Sequence, residues 1–237
     1  MICYRCGSVI GAGKYCLHCG ANIAIYKKIV RLSNSLYNAG LAQAKVRDLS
    51  GAVSSLTRAL EFDRRNIPAR NLLGLVYYEM GEDVEALCQW VISKNLQPDE
   101  NPADRYLNEI QGNTRELETH NTAIKKYNQA LESARHDGED LAIIQLRTVL
   151  SQHPRMIKAH QLLALLYIRE GEFSKAGRVL KRALQIDRGK VLCQQYAAEI
   201  RGKMNRPRTR QELLADQSGD IAAQDVISPG EQTGKAE

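Results

Sequence analysis

The sequence predicts an all-α protein, in which a helical solenoid of about four repeats in two duplicated halves follows a small N-terminal head. Three observations carry this prediction. Helical periodicity begins near residue 24 of a chain that contains only six prolines. The apolar pattern recurs after 34 residues and again after 90 residues. Four cysteines form two closely spaced pairs before residue 20.

Length and composition indicate a chain that folds around a hydrophobic core. It has 237 residues, of which 43% are apolar, so the core needs no disulfide bonds. The longest run without charged or strongly polar residues, 162–168, is far shorter than the ~20 residues that a membrane-spanning helix requires. The first residues also lack an apolar signal segment. We therefore expect a cytoplasmic protein with no membrane partner.

The head, residues 1–23, contains two Cys-x-x-Cys-Gly knuckles. Their cysteines are Cys3, Cys6, Cys16 and Cys19. Each short loop can aim two sulfurs at one point, and Gly7 and Gly20 can take the positive φ that ends such a turn. Four sulfurs complete a tetrahedron and leave no position for a water molecule, which favours a structural metal ion over metal-assisted hydrolysis.

The ion also has an energetic role, because so short a segment has almost no core of its own. Metal binding then supplies its folding energy. The head resembles short zinc-ribbon modules, with a glycine after each knuckle, Ile10 in the connecting hairpin and Tyr15 before the second knuckle. The resemblance implies structural Zn²⁺. Iron is the minor alternative, since four thiolates also suit iron, and paired disulfides would require an oxidising compartment.

The two periods define the boundaries of the helical part. A shift of 34 residues places Ala52 on Ala86, and a shift of 90 residues places Tyr37 and Asn38 on Tyr127 and Asn128. The predicted units are a first half, 24–112, with repeats 33–66 and 67–100, and a second half, 113–204, with repeats 123–156 and 157–190. One covering helix closes each half. Whether the halves form one superhelix or two lobes hinged near residues 112–113 stays open. The polar composition of 205–237 predicts a disordered tail.

Repeat 67–100 resembles the tetratricopeptide repeat most closely. It reads Leu73-Gly74-x-x-Tyr77, then Ala86-x-x-x-Trp90, then a proline near its end. The small residues let paired helices approach, and the large ones fill the space between pairs. We expect left-handed turn residues at Gly51, Gly81, Gly138 and Gly171.

The resemblance implies a non-enzymatic adaptor that binds a protein or peptide in a groove lined by the first helix of each pair. The candidate groove residues are Tyr37, Asn38, Leu41, Lys45, Asn71, Tyr78, Tyr127, Asn128, Leu131, Arg135, Gln161, Leu165 and Arg169. An asparagine amide can pair with any peptide unit, because it offers a donor and an acceptor together.

Charge suggests one alternative function, nucleic-acid binding at the N-terminal end. The chain carries a net charge of +6. Residues 1–32 contain no acidic residue but five basic ones, namely Arg5, Lys14, Lys27, Lys28 and Arg31. Phosphate contacts from such a patch would be strongly salt-dependent. Because the rest of the chain is nearly neutral, this class of partner is not favoured.

The sequence contains no recognisable catalytic motif. His120, His136, His153 and His160 are scattered, with no phosphate-binding loop and no nucleophile paired with a base. We therefore expect no enzyme and no small-molecule substrate. Cys88 and Cys193 lie in helical apolar patterns and are predicted to be core residues.

Overall fold

The computed structural model describes residues 1–111 and 114–204, which form a loop-rich head followed by ten α-helices. The head, residues 1–23, has two isolated antiparallel bridges, Ile2 to Val9 and Tyr15 to Asn22. The predicted hinge at 112–113 and the predicted tail, 205–237, lie outside the described residues. Among the described helices, none combines the length and apolar character needed to cross a membrane.

The helices repeat with the predicted period of 90 residues. The first half comprises α1 (Ala24–Lys45), α2 (Leu49–Phe62), α3 (Ile67–Glu79), α4 (Asp83–Leu96) and α5 (Ala103–Gln111). The second comprises α6 (Thr114–Arg135), α7 (Glu139–Gln152), α8 (Ile157–Arg169), α9 (Phe173–Ile186) and α10 (Val191–Met204). Helices α6 to α9 begin and end 90 residues after α1 to α4. The predicted all-α, tetratricopeptide-like fold is confirmed.

The turns within the helix pairs follow the prediction at two of four positions. Gly81 and Gly171 have φ values of 73° and 77°, as expected for left-handed turn residues. Gly51 instead lies inside α2, where its N–H donates to the capping side chain of Asp48 over 2.9 Å. The left-handed residue is Arg47, with φ 63°, and its counterpart in the second half is Asp137, with φ 59°. The prediction was wrong at Gly51 and at Gly138, whose φ is −89°, because the residue before the helix cap, and not the glycine, makes the turn.

The small-residue positions allow close helix packing. A Cβ atom at Gly74 would lie 2.3 Å from Nε1 of Trp90, which is 1% exposed. The Trp90 N–H donates to the Asn71 carbonyl over 3.1 Å. Ala86 is fully buried next to the indole in the same apolar cluster. The indole thus fills the space that glycine and alanine leave between α3 and α4.

The two halves contact each other directly. Ile157, at the start of α8, is 1% exposed and belongs to the apolar cluster of the first half. Its N–H donates to the Met80 carbonyl over 3.3 Å. At the other end, the fully buried Asp187 carboxylate accepts from the Leu49 N–H over 2.9 Å and from the Ser50 hydroxyl over 2.5 Å. Because of these contacts, residues 1–200 form one compact unit.

The two cysteines outside the head differ in burial. Cys193 is fully buried, as predicted. Cys88 is exposed, so its prediction as a core residue was wrong. The apolar residues near it on α4, Val84 and Ile92, are exposed as well. This face of α4 carries apolar residues without burying them, and a periodic pattern cannot reveal that.

Candidate metal centre and binding surfaces

The four head cysteines bring their sulfurs together. Sγ of Cys3 lies 3.7 Å from Sγ of Cys19, and Sγ of Cys6 lies 3.7 Å from Sγ of Cys16. All four ligand atoms lie within 4.8 Å of one another. A disulfide would need about 2.05 Å, whereas a tetrahedral ion with metal–sulfur bonds of about 2.3 Å sets sulfurs about 3.8 Å apart. The donor set therefore fits a four-thiolate metal ion.

The two knuckles have the same backbone frame. The Gly7 N–H donates to the Cys3 carbonyl over 3.0 Å, and the Gly20 N–H donates to the Cys16 carbonyl over 2.9 Å. Both glycines have positive φ values, 71° and 69°, as predicted. The frame turns each loop back on its first cysteine, which holds both sulfurs of the loop on one side.

Local hydrogen bonds favour ionisation of two of the four thiols. The hydroxyl and backbone of Ser8 lower the pKa of Cys6 to about 6. The backbone N–H groups of Cys19 and His18 lower the pKa of Cys16. A hydrogen bond from the Ala21 backbone favours the Cys19 thiolate, but burial and the neighbouring sulfurs outweigh it and raise the pKa of Cys19 to about 12. Four thiolates this close repel one another, and a divalent cation would remove that repulsion.

The head is attached to the start of α1. The buried Ile23 donates its N–H to the Lys14 carbonyl over 2.8 Å. Lys27 donates its ammonium to the carbonyls of Gly11 and Gly13, over 2.5 and 2.7 Å. Lys27 belongs to the predicted basic patch, but its ammonium group makes internal hydrogen bonds to the head. The exposed members of that patch are Arg5, Lys14, Lys28 and Arg31.

Most candidate groove residues are exposed or half-buried. The exposed ones are Asn38, Lys45, Asn128, Arg135, Leu165 and Arg169. The half-buried ones are Tyr37, Leu41, Tyr78, Tyr127, Leu131 and Gln161. Asn38 and Asn128 occupy equivalent positions on α1 and α6, and neither amide is hydrogen-bonded within the described part of the chain. Their role in binding stays a prediction.

Asn71, Tyr78 and Arg169 make specific contacts with other elements of the protein. Asn71 is 7% exposed and its amide donates to Oδ1 of Asn101 over 2.9 Å, so its prediction as an open groove position is corrected. The physical reason is that the loop before α5 covers this part of α3. Tyr78 lies beneath the Arg155 guanidinium, 4.4 Å from the ring centre. Arg169 forms an ion pair of 2.5 Å with Glu139.

The structure brings together two histidines that appeared scattered in the sequence. Nδ1 of His120 lies 2.7 Å from Oδ2 of Asp83, and the His120 and His153 rings meet edge to face at 4.6 Å. Asp83 starts α4, whereas both histidines belong to the second half. The cluster therefore joins the two halves. The sequence offered no signal for it, because the three residues share no period.

A second feature missed by the sequence analysis is a cavity of about 730 Å³ between α7, α8 and α9, called here the outer groove. Residues Ile143, Leu163 and Tyr167 form its apolar floor, and the side chains at its rim are mostly basic. The signal that could have revealed it is the 90-residue comparison. Arg178 and Arg182 of the rim stand where the first half has Cys88 and Ile92.

Comparisons with known proteins identify the repeat type. Residues 157–190 match the family model of the tetratricopeptide repeat, and these are the residues of the fourth predicted repeat. No curated protein gives a significant match.

Several solved structures align with this chain at low sequence identity. One is MamA, with 17% identity over 84% of this chain and 98% of that chain and a TM-score of 0.34. Another is YrrB, described as "a TPR protein with an unusual peptide-binding site", with 17% identity over 84% of this chain and 91% of that chain and a TM-score of 0.34. A third is the P58(IPK) TPR domain, with 14% identity over 87% and 68% and a TM-score of 0.35.

Proposed function

We propose that this protein is a non-enzymatic interaction scaffold. Its helical repeats bind a protein or peptide partner, and its four-cysteine head holds a structural zinc ion. The observation that carries the proposal is the duplicated array of helix pairs, one of which matches the tetratricopeptide repeat. Such arrays generally present extended surfaces to other proteins rather than reaction centres.

The first-helix groove is one binding surface for an extended peptide. Asn38 and Asn128 are exposed at equivalent positions, next to the half-buried rings of Tyr37 and Tyr127. Each amide offers a donor and an acceptor to a peptide unit, whatever the side chain of that unit. The tyrosines add apolar contact area with few rotatable bonds, which limits the entropy lost on binding.

Zinc in the head has a structural role in this proposal. The residues that hold it are Cys3, Cys6, Cys16 and Cys19, whose sulfur separations match a tetrahedral site. A bound zinc ion would supply the cross-link that stabilises the head. Iron would occupy the same donor set, and colourless purified protein that contains zinc distinguishes the two metals.

Affinity capture tests the groove. The full chain serves as bait beside an Asn38→Ala/Asn128→Ala variant, and quantitative mass spectrometry compares the captured proteins. An Asn95→Ala/Asn121→Ala variant is the matched control, because both of these asparagines are exposed on helix surfaces outside the predicted groove set. We expect the groove variant to lose specific partners that the control retains. Identical captured sets for all three proteins would remove the groove from the proposal.

A second candidate function is nucleic-acid binding by the head, favoured by the exposure of Arg5, Lys14, Lys28 and Arg31. Tyr4 and Tyr15 are 62% and 60% exposed and offer two rings for stacking. Gel-shift titration with single-stranded and double-stranded oligonucleotides at low salt tests this function. Binding that falls steeply as salt rises supports it, and the lack of any shift at low salt excludes it.

A further inference from the structure

The outer groove has an apolar floor that solvent reaches through its open side. Ile143, Leu163 and Tyr167 are each no more than 8% exposed, and Ile144 on the wall is 60% exposed. Half-buried Val179 lines the α9 side. A concave surface of this kind can take an aliphatic side chain out of water, which provides the nonspecific part of a binding energy.

The rim of the outer groove is basic. Arg147, Arg178 and Arg182 are exposed, and none of them forms an ion pair within residues 1–111 and 114–204. Lys175 also lines the groove and is paired with Glu172 at 3.2 Å. Three unpaired guanidinium groups around one cavity attract carboxylates, and each can bind a carboxylate through two hydrogen bonds.

The first half has an equivalent surface, and the second half contacts one edge of it. Ser50, Met80 and Glu85 are the counterparts, 90 residues earlier, of groove residues Asp140, Glu170 and Lys175. These three residues respectively contact Asp187, Ile157 and Lys158 of the second half.

The contacted edge shows which side chains such a surface accepts. Ile157 is buried in the apolar cluster of the first half. The next residue, Lys158, pairs with Glu82 and reaches Glu85 at 3.9 Å. The occupant is thus an aliphatic side chain flanked by a charge opposite to that of the rim. In the second half, the equivalent surface is the outer groove, which no described residue fills.

The rim of the outer groove is more basic than its counterpart in the first half, although Asp140 and Glu170 also line it. Glu85 of the first half corresponds to Lys175, and Thr57, Cys88 and Ile92 correspond to Arg147, Arg178 and Arg182. We propose that the outer groove binds an acidic segment of a protein partner, with an aliphatic side chain on the apolar floor and carboxylates at the arginines. This inference rests on the proposed scaffold function, but it uses a different face from the first-helix groove.

Charge argues against a second copy of this chain as the occupant. If a second copy repeated the contact between the halves, its first half would meet the outer groove with the residues that correspond to Arg155, Ile157 and Lys158. The residues there are Arg65, Ile67 and Pro68, and Arg64 and Arg65 are both exposed. Arginine against an arginine-rich rim is repulsive, so the duplicated contact does not extend from chain to chain.

A nucleic acid fits the outer groove less well than an acidic protein segment. The one aromatic ring in the lining, Tyr167, is 8% exposed and offers no free face for base stacking. The apolar floor rewards an aliphatic side chain, which a nucleic acid lacks.

Fluorescence anisotropy on the full chain tests the proposal. The probe is a short labelled peptide composed of Glu, Asp, Leu and Ile, and a peptide with Lys in place of both acids is its partner probe. We expect the acidic peptide to bind saturably, and Arg178→Glu/Arg182→Glu to weaken binding by about tenfold or more. The matched control is Lys125→Glu/Lys181→Glu, which changes the net charge equally at exposed positions outside the groove. It should weaken binding by no more than about twofold. Far-ultraviolet circular dichroism verifies that both variants fold.

Any one of the following results would overturn the proposal. They are the lack of saturable binding to the wild-type chain, equal weakening by the two double variants, and tighter binding of the lysine peptide than of the acidic one. The fourth is displacement of the peptide by a single-stranded oligonucleotide, which would assign the groove to nucleic acid. Concentration-dependent self-association lost only in Arg178→Glu/Arg182→Glu would assign it to a second copy instead. Peptide affinity lowered by Asn38→Ala/Asn128→Ala but not by Arg178→Glu/Arg182→Glu would place the peptide in the first-helix groove, so each surface can fail its test without the other.

Discussion

Gly74 lies where α3 approaches the indole of Trp90 most closely. Because a Cβ atom there would lie 2.3 Å from Nε1, Gly74→Ala should lower the free energy of unfolding by about 1–3 kcal/mol through overpacking. Gly177→Ala is the matched control, since no atom lies within 4 Å of its added Cβ. This control should stabilise the protein by about 0.5–1 kcal/mol, because it removes a helix-interior glycine. Urea unfolding measures both, and effects of the same sign would contradict the packing explanation.

His160 makes stability depend on pH at a single buried residue. It is 3% exposed, and its Nε2 lies 2.8 Å from the Pro154 carbonyl oxygen. Burial lowers the His160 pKa below its ordinary 6.5; the Pro154 carbonyl opposes this and the Arg182 charge adds to it. As pH falls through 6.5, His160 therefore takes up a proton in the unfolded chain before it does so in the folded chain.

We accordingly expect the free energy of unfolding to be unaffected by this group above its ordinary pKa and to decrease as pH falls from there toward the folded pKa. Replacement by His160→Gln should reduce that decrease. Urea titrations between about pH 7.5 and 5.5 measure the slope. His136→Gln, at an exposed position, is the control. A slope that neither variant changes would show that His160 does not titrate differently in the folded state.

At the scale of one element, the head depends on its metal more than any helix does. Its apolar cluster contains only a few buried side chains, chiefly Cys3, Cys16, Ala21 and Ile23. Zinc binding in small peptides provides on the order of 10–16 kcal/mol, which exceeds what so small a core can contribute. The helices have their own cores around Leu56 and Leu146, which are fully buried.

Loss of one ligand should therefore unfold the head and leave the helices intact. Cys6→Ser is expected to abolish zinc retention and to make residues 1–23 susceptible to limited proteolysis, with little change in helical circular dichroism. Cys88→Ser is the control, because this cysteine is exposed and remote from the cluster in sequence. Metal analysis and proteolysis with and without a strong chelator provide the measurements. A head that resists protease after complete metal removal would refute the structural role of the ion.

At the scale of the whole molecule, contacts between the two halves hold residues 1–200 in one unit. Lys158 carries a large part of their charge complementarity, because it pairs with Glu82 and lies 3.9 Å from Glu85. Burial opposes the charged form, but Glu82 and Glu85 outweigh it and raise the pKa of Lys158. The ammonium side chain remains 48% exposed, so solvent screens the interaction.

Charge reversal tests this contact between the halves. Lys158→Glu should lower the free energy of unfolding by about 1–2 kcal/mol, because it sets a third carboxylate beside two others. Adding Glu82→Lys should restore part of the loss, as a double-mutant cycle would report. Lys125→Glu, on the surface of α6, should change stability by less than about 0.5 kcal/mol. Equal effects of Lys158→Glu and Lys125→Glu would show that the contact contributes nothing specific.

The sequence by itself determined the elements of this protein. Helical periodicity and the 90-residue duplication predicted which segments pair, because a helix needs only local hydrogen bonds and one apolar face. The cysteine spacing predicted the sulfur cluster, since each knuckle is a local turn. Glycines were predictive where a positive φ was required, as at Gly81, and misleading at Gly51, where a side-chain cap moved the turn to Arg47.

Only the tertiary structure decided how the duplicated halves meet. Asp187 caps α2, and Ile157 enters the apolar cluster of the other half. Both contacts join residues that lie far apart in the chain, and they also decide which of the two equivalent surfaces stays open. No local period records such pairings, because they follow from shape and charge across the whole unit. The duplicated sequence therefore specified two similar halves, and their packing against each other made the edge of one surface an internal contact and left the other surface, with its arginines, open.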